Sequence, residues 1–378
     1  MSARRPWAWP LVPLYAGVLR VQEWLRGEAK SLTWPVVSVG SVSAGGAGKT
    51  PVVIALAKML QERGWSVDVL SRGYGREGAG IDFVDATRVD AAVYFGDEPV
   101  LLAEAGVDVW VGADRFAAGV LAEGRGASSQ TQIPFGDDNK ENGDGIKEYG
   151  DDNKEYGDDN KENGDDIKEY GDGIKKNKGV HLLDDGFQHR RLKRDVDIAL
   201  VTEEDLADAL LPAGNRREPL DALRRADVVV IREEEREMVE PHVLKLMREG
   251  ALLWSVHRRL RFPAPLGVLS AGLRPLAFCG IARPEGFAAM LEEAGCGIIE
   301  TVVFDDHRAY KADDIAQVVA IAKRLEASGF VTTEKDAVKL SAALRERLET
   351  VGPVVVVALE AEFVYPERVA RELEARLL

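Results

Sequence analysis

One junction constrains the fold of this chain more than any other feature. The β-branched run PVVSVG at residues 35–40 leads straight into SVSAGGAGKTP at residues 41–51. Val36, Val37 and Val39 favour a buried extended strand. Gly45, Gly46 and Gly48 allow a tight turn whose backbone can approach a ligand closely, and a helical pattern follows over residues 50–63. A strand, a glycine-rich turn and a helix N-terminus in that order hold phosphate through backbone N–H groups and the helix dipole. Ser43, Ala44, Gly45, Gly46, Ala47, Gly48, Lys49 and Thr50 are the expected cradle. In it, Lys49 reaches the β- and γ-phosphates and the Thr50 hydroxyl holds Mg²⁺. The pattern departs from G-x-x-x-x-G-K-[ST] at its first position, where Ser43 replaces glycine.

Strand-like runs at 36–39, 66–70, 107–111, 180–183, 196–201 and 228–231 alternate with helical segments. This rhythm predicts an α/β fold, a P-loop NTPase-type domain with a mainly parallel sheet over residues 31–256. The stretch HRRLRFPAPLG, with its arginines and prolines, reads as the start of a link over 257–274. A second, smaller α/β domain is expected over 275–378. Its strands fall at 275–279, 298–304, 330–332 and 351–359, and its helices at 284–294 and 312–327.

Two segments stand apart from this rhythm. Residues 136–177 are six tandem heptads, each opening with Gly-Asp, and they carry 15 acidic residues and 7 lysines, −8 of the chain's net −15. No unit has two apolar seam positions, so a coiled coil is excluded, and EF-hand spacing is absent. Low hydrophobicity and high charge predict a solvated, disordered insertion. The rest of the chain is only mildly acidic, and nothing in it marks a nucleic-acid binder. At the other extreme, residues 4–30 hold three of the seven tryptophans, with five basic and two acidic residues in the first thirty. The uncharged part is too short to span a bilayer. Leu14, Val18, Val21 and Leu25 recur at helical spacing, so residues 1–30 are expected to form an amphipathic interfacial helix with Trp anchors. Cys279 and Cys296 lack metal-ligand spacing and fit a reducing compartment.

Further candidates for chemistry lie beyond the glycine-rich turn. In HLLDDGFQHRRLKRD, Asp184 and Asp185 end an apolar strand, where a carboxylate beside a phosphate loop meets the magnesium shell. In YFGDEPVLL, Asp97 precedes a helix that starts with Pro99, and taken alone it is an ordinary N-cap. In FDDHRAYKADD, His307 is one of five histidines and sits after a strand. Arg72, Arg76, Arg115, Arg190 and Arg191 cluster at strand ends, which suits a phosphorylated substrate. A guanine site would need N-K-x-D. The NKEN and NKEY runs lack its aspartate and TEKD at 333–336 has the wrong order, so ATP is the expected nucleotide.

The motifs VGSVSAGGAGKTP, LSRGYGR, GDEP, LLDDGFQHRRLKRD, LLPAGNRREPL, FCGIARPEGF, FDDHRAY and VTTEKDAVKL occur in one order. Together they resemble the tetraacyldisaccharide 4′-kinases of the lipid A pathway, from the N-terminal helix to near residue 340. Ser41 stands where that family usually has asparagine, and the heptad insertion is foreign to it. The resemblance implies an ATP- and Mg²⁺-dependent enzyme at the cytoplasmic face of the bacterial inner membrane. Such an enzyme phosphorylates the 4′-hydroxyl of a membrane-embedded glycolipid, tetraacyldisaccharide 1-phosphate, to give lipid IVA. It also implies Asp97 as the base toward that hydroxyl, His307 as its support, and Glu218 as a magnesium-shell residue with Asp184 and Asp185.

Two other classes fit parts of the pattern: a P-loop NTPase that needs no lipid acceptor, and a membrane-bound scaffold with a degenerate loop. Acceptor-dependent turnover separates all three. For the insertion, limited proteolysis is expected to cut within 136–177 and leave the flanking parts folded. A resistant segment there would contradict the disorder assignment.

Overall fold

The central strands are buried throughout their length, as strands of a parallel sheet covered on both faces must be. In β1 (Val36–Ser41), β6 (Val196–Leu200) and β7 (Val228–Arg232) every residue is buried. The computed structural model describes residues 5–24, 27–128, 178–263 and 274–378. The heptad insertion, Leu25 and most of the expected link therefore lie outside the described residues. The remaining strands are β2 (Trp65–Ser71), β3 (Asp82–Phe83), β4 (Asp108–Val111), β5 (Lys178–Asp184), β8 (Leu252–Arg261), β9 (Leu276–Cys279), β10 (Thr301–Val303), β11 (Phe330–Thr333) and β12 (Val354–Phe363). They form one sheet in the order β10-β9-β11-β12-β8-β7-β6-β1-β5-β2-β4-β3. All neighbours are parallel except β3·β4 and β8·β12.

The register at β8·β12 organises the molecule. The first half of β8, Leu252 to Val256, pairs in parallel with β7, and the first half of β12, Val354 to Val357, pairs in parallel with β11. The overhanging halves pair with each other, from Val256 opposite Phe363 to Arg261 opposite Ala358. Each strand thus runs past the carboxyl edge of its own parallel set into the antiparallel ribbon. The two carboxyl edges therefore face each other, joined by a ribbon about 17–20 Å long.

This corrects the expectation that a link begins at His257, because β8 continues through Arg261. Of the arginines that suggested a link, Arg259 and Arg261 lie on the solvated side of an antiparallel pair, against Glu362 at 3.1 Å and Glu360 at 2.5 Å, while Arg258 points to the opposite face and is held by Glu234 at 2.7 Å. In the second strand set, β10 and β11 fall within or beside the expected runs. β10 is shorter than 298–304.

Helix α1 (Val12–Trp24) follows a 3₁₀ turn at Pro6–Leu11, where Pro10 interrupts regular α-helical bonding. Ala8 packs with Ala209, Ala213 and Val12, and the Tyr15 hydroxyl donates to the Arg217 carbonyl at 3.0 Å. Trp7, Leu14 and Val21 point outward, 74%, 68% and 53% exposed. Next come α2 (Lys49–Glu62), α3 (Ala91–Phe95), α4 (Asp97–Glu104), α5 (Arg115–Ser128), α6 (Glu203–Ala207) and α7 (Arg236–Leu246). In the second half lie α8 (Pro284–Glu293), α9 (Ala312–Arg324), α10 (Glu334–Ala337), α11 (Ala342–Glu349) and α12 (Pro366–Leu377). α12 returns to the first half. Its Val369 and Leu373 join the core of Leu56, Leu60 and Val69, and its Glu374 accepts from Trp65 Nε1 at 3.1 Å. Residues 275–378 therefore do not pack as one separate unit.

At the carboxyl end of β1, a Cβ on Gly40 would lie 2.6 Å from both Cβ and backbone N of Phe187, which is fully buried. Gly40→Ala is expected to destabilise the protein by about 1–3 kcal/mol, read as a fall of several degrees in Tm. An unchanged Tm would show that the loop after β5 can shift freely.

Candidate active site

Where β1 ends, Ser41 Oγ donates to the Ser43 carbonyl at 2.8 Å and Ala44 N–H donates to the Asn215 carbonyl at 2.8 Å. These bonds anchor the start of the glycine-rich loop. Gly45, Gly46 and Gly48 have φ of +72°, +68° and +86°, a region costly for any residue with a Cβ. At Gly46 space matters too, since a Cβ would lie 2.5 Å from Arg283 Nε. Ala47 is buried behind the turn, and Gly48 passes into α2, placing Lys49 and Thr50 in its first turn.

Asp184 ends β5 in register with Val39 of β1, so the aspartate pair emerges beside the loop. Asp184 is 2% exposed and its Oδ1 has no hydrogen-bond partner. Burial, then the charges of Glu98 and Asp185, push its carboxyl up to about 7, against the pull of Lys49 and Arg115. A buried, unpartnered carboxylate oxygen beside two acids is what a cation would satisfy. Mg²⁺ takes one or two protein carboxylates and completes its shell with water and phosphate. Asp184 and the Thr50 hydroxyl match that donor set. Among the described residues no three Asp, Glu, His or Cys gather to hold a metal by themselves.

Its neighbour behaves oppositely. Asp185, at φ +50°, accepts from Arg217 at 2.6 and 2.7 Å and lies 3.4 Å from Lys49 Nζ. Burial disfavours its charge, but Arg217 and Lys49 outweigh burial and hold the carboxyl far below the usual range. Glu218 is engaged elsewhere: Arg225 binds both its oxygens at 2.6 Å and Gln188 donates to one at 3.0 Å. Glu218 is thus presented as an ion-paired carboxylate rather than a free one.

Across the gap, Asp97 opens α4, buried at 5% exposure, and receives His307 Nδ1 at 3.0 Å on Oδ2. His307 comes from the loop after β10 at φ +60°, with the Tyr74 ring 5.5 Å away. Burial would raise the Asp97 carboxyl, yet the His307 bond and the Lys335 charge bring it below its ordinary value. The bond to Asp97 raises His307, against burial and Lys335. Lys335, at the start of α10, lies 3.0 Å from Asp306 and 3.5 Å from Glu98. In the sequence this lysine falls in TEKD, which fails as a guanine motif, and within VTTEKDAVKL, but neither pattern singles it out.

The arginines divide. Arg76 is spent on Asp82 at 3.1 Å and on the Gly80 carbonyl, bracing its own loop rather than facing a ligand. Arg115 is buried and donates to the Asp184 carbonyl at 3.3 Å. Arg72, exposed, and half-buried Arg190 stay near the strand ends. Burial, then Arg115, Arg194, Arg191 and Arg72, push His189 down to about 4. His189 stands inside a quoted motif but carried no signal of its own.

An α/β fold with a mostly parallel sheet and this loop-and-aspartate arrangement is the architecture of nucleotide-using phosphotransferases. The family model for tetraacyldisaccharide-1-P 4′-kinase matches residues 4–378. A tetraacyldisaccharide 4′-kinase of Koribacter versatilis is 36% identical over 346 residues, covering 89% of this chain and 85% of that protein. Another, of Geobacter metallireducens, is 35% identical over 93% of this chain and 88% of its own length. The crystal structure of "apo" form LpxK from Aquifex aeolicus in complex with ATP is similar at a TM-score of 0.65, with 26% identity and 98% of both chains covered. The chain belongs to the tetraacyldisaccharide-1-P 4′-kinase family.

Asp185 has a depressed carboxyl, so its stabilising share is complete above about pH 4 and is lost as pH falls through its lower folded value. Arg217→Gln is expected to lower Tm by about 2–4 °C at pH 7, a modest loss because the pair is partly solvated. The gap from wild type should shrink by pH 3. A gap of equal size at both values would mean that packing, not charge, is what Arg217 supplies.

Proposed function

We propose that the chain transfers the γ-phosphate of ATP to the 4′-hydroxyl of tetraacyldisaccharide 1-phosphate, forming lipid IVA, with Asp97 as the base. It is a kinase that acts on a hydroxyl group. The observation that carries the base assignment is the 3.0 Å contact of His307 with Asp97, made between two carboxyl edges that also present the glycine-rich loop. A charged carboxylate held by an imidazole can take the hydroxyl proton as attack proceeds.

Backbone N–H groups of the loop and Lys49 bind the triphosphate, and Arg115, with Arg72 and Arg190 nearby, meets negative charge on the acceptor side. When bound, Mg²⁺ would neutralise charge developing on the phosphates, held by Asp184 and Thr50. Phosphoryl transfer of this kind is mainly positioning and charge compensation.

The acceptor's acyl chains lie in a bilayer, and the exposed Trp7, Trp9, Leu14, Val18 and Val21 suit the membrane interface. No helix among the described residues is long and apolar enough to cross a membrane. Peripheral attachment to the cytoplasmic face of the inner membrane follows from this reading.

With labelled ATP, Mg²⁺ and the acceptor in detergent micelles, wild type should yield labelled lipid. Asp97→Ala should lower kcat by about 10²–10⁴-fold with little change in ATP affinity. Near-normal turnover in that variant removes Asp97 from the base role, and ATP hydrolysis without labelled lipid removes the acceptor. Lys49→Ala should weaken ATP use and leave vesicle binding intact, whereas Trp7→Ala with Trp9→Ala should do the reverse.

A further inference from the structure

Lys335 occupies a position that neither the motif reading nor family membership explains. It is aimed by a rigid platform. Thr333 Oγ1 caps α10 by accepting from Asp336 N–H at 3.1 Å. Fully buried Asp336 in turn accepts from the Gly280 N–H and the Tyr310 hydroxyl, both at 2.9 Å, and pairs with Lys339 at 2.8 Å. From this base the Lys335 side chain, 18% exposed, reaches across to α4.

An ammonium has three N–H donors and no lone pair. Three partners surround this one: Asp306 Oδ1 at 3.0 Å, His307 Nε2 at 3.3 Å and Glu98 Oε1 at 3.5 Å, with Asp97 Oδ2 farther off at 3.9 Å. An imidazolium would set an N–H donor against the ammonium at Nε2, where no acceptor intervenes. The other groups facing the ring are Asp97 on Nδ1, Asp306 Oδ2 at 3.7 Å from Nε2, and the Tyr74 ring. Asp306 is beyond hydrogen-bond reach of Nε2 and is itself held by Lys335.

We propose that Lys335 is a positioning residue that donates to His307 Nε2, fixing the imidazole as the Nδ1–H tautomer that donates to Asp97. The lysine thereby keeps His307 from taking a second proton and leaves Asp97 an unprotonated acceptor at the start of each turnover. Because Lys335 and His307 lie in the second half while Glu98 and Asp97 lie in the first, this arrangement forms only when the two carboxyl edges meet. The inference rests on Asp97 being the base, but the tautomer itself does not depend on any activity.

Two measurements test it on the full chain. In ¹⁵N-histidine NMR of the ligand-free protein, with the His307 signals assigned by their loss in His307→Gln, wild type at pH 7.5 should show a protonated Nδ1 and an unprotonated Nε2. In Lys335→Met the His307 titration should move up by about one pH unit or more, as expected when a neighbouring like charge is removed. The acid limb of kcat/KM should move up with it. A protonated Nε2 in wild type overturns the proposal, and this arm holds even if the variant folds poorly. An acid limb that stays in place while kcat falls reduces Lys335 to a structural brace and also overturns it. Failure of wild type to label lipid would refute the proposed reaction and leave the NMR arm standing.

Discussion

The antiparallel ribbon between β8 and β12 is the constraint on which the rest of the structure depends. In an open parallel sheet, ligands collect at the carboxyl edge because the loops there carry N–H groups and free side chains. Here the chain has two such edges, and the ribbon turns them toward one another. The glycine-rich loop after β1 and the start of α4, which lies between β3 and β4, can then touch groups that follow β9, β10 and β11 on the other. The contacts of Arg283 with Gly46, His307 with Asp97 and Lys335 with Glu98 all have this origin.

Between those edges, the charges are sorted by their surroundings. Asp184 and Asp185 are adjacent residues with the same side chain, yet one is raised and the other depressed. The difference lies in partners: Asp185 has Arg217 and Lys49 at contact distance, while Asp184 faces other acids and keeps one oxygen unsatisfied. A carboxylate left in that state is poised for a cation, and one already neutralised holds the loop lysine in place. The turn that separates their directions is made at Asp185, whose φ of +50° is unusual for a residue with a Cβ.

Much of the site was legible wherever it was local. The order of strand, glycine-rich turn and helix was legible because its parts follow one another without interruption, from Val36 to Glu62. Asp97 and His307 were individually weak, and only the resemblance of several motifs in order joined them. They are 210 residues apart, so no periodicity can relate them. Glu218 shows the converse. Its motif suggested a metal shell, but the side chain lies against Arg225, a partner that becomes visible only when the loop is placed. Residues 257–261 belong to β8 rather than to a link for a related reason, since the alternating charges of a solvated ribbon read as a break when the partner strand is unknown.

By itself the sequence determined the α/β class, the glycine-rich turn and the apolar N-terminal segment, which rest on short-range patterns of backbone preference and hydrophobicity, and the family, which rests on motifs occurring in one order. Only the tertiary structure decided which charges meet. It set the register of β8 on β12, and with it the pairing of His307 with Asp97, the engagement of Glu218 by Arg225 and the position of Lys335. The physical reason is that a hydrogen bond or an ion pair depends on distances of a few ångströms, and those distances are set by how strands far apart in the chain come to lie side by side.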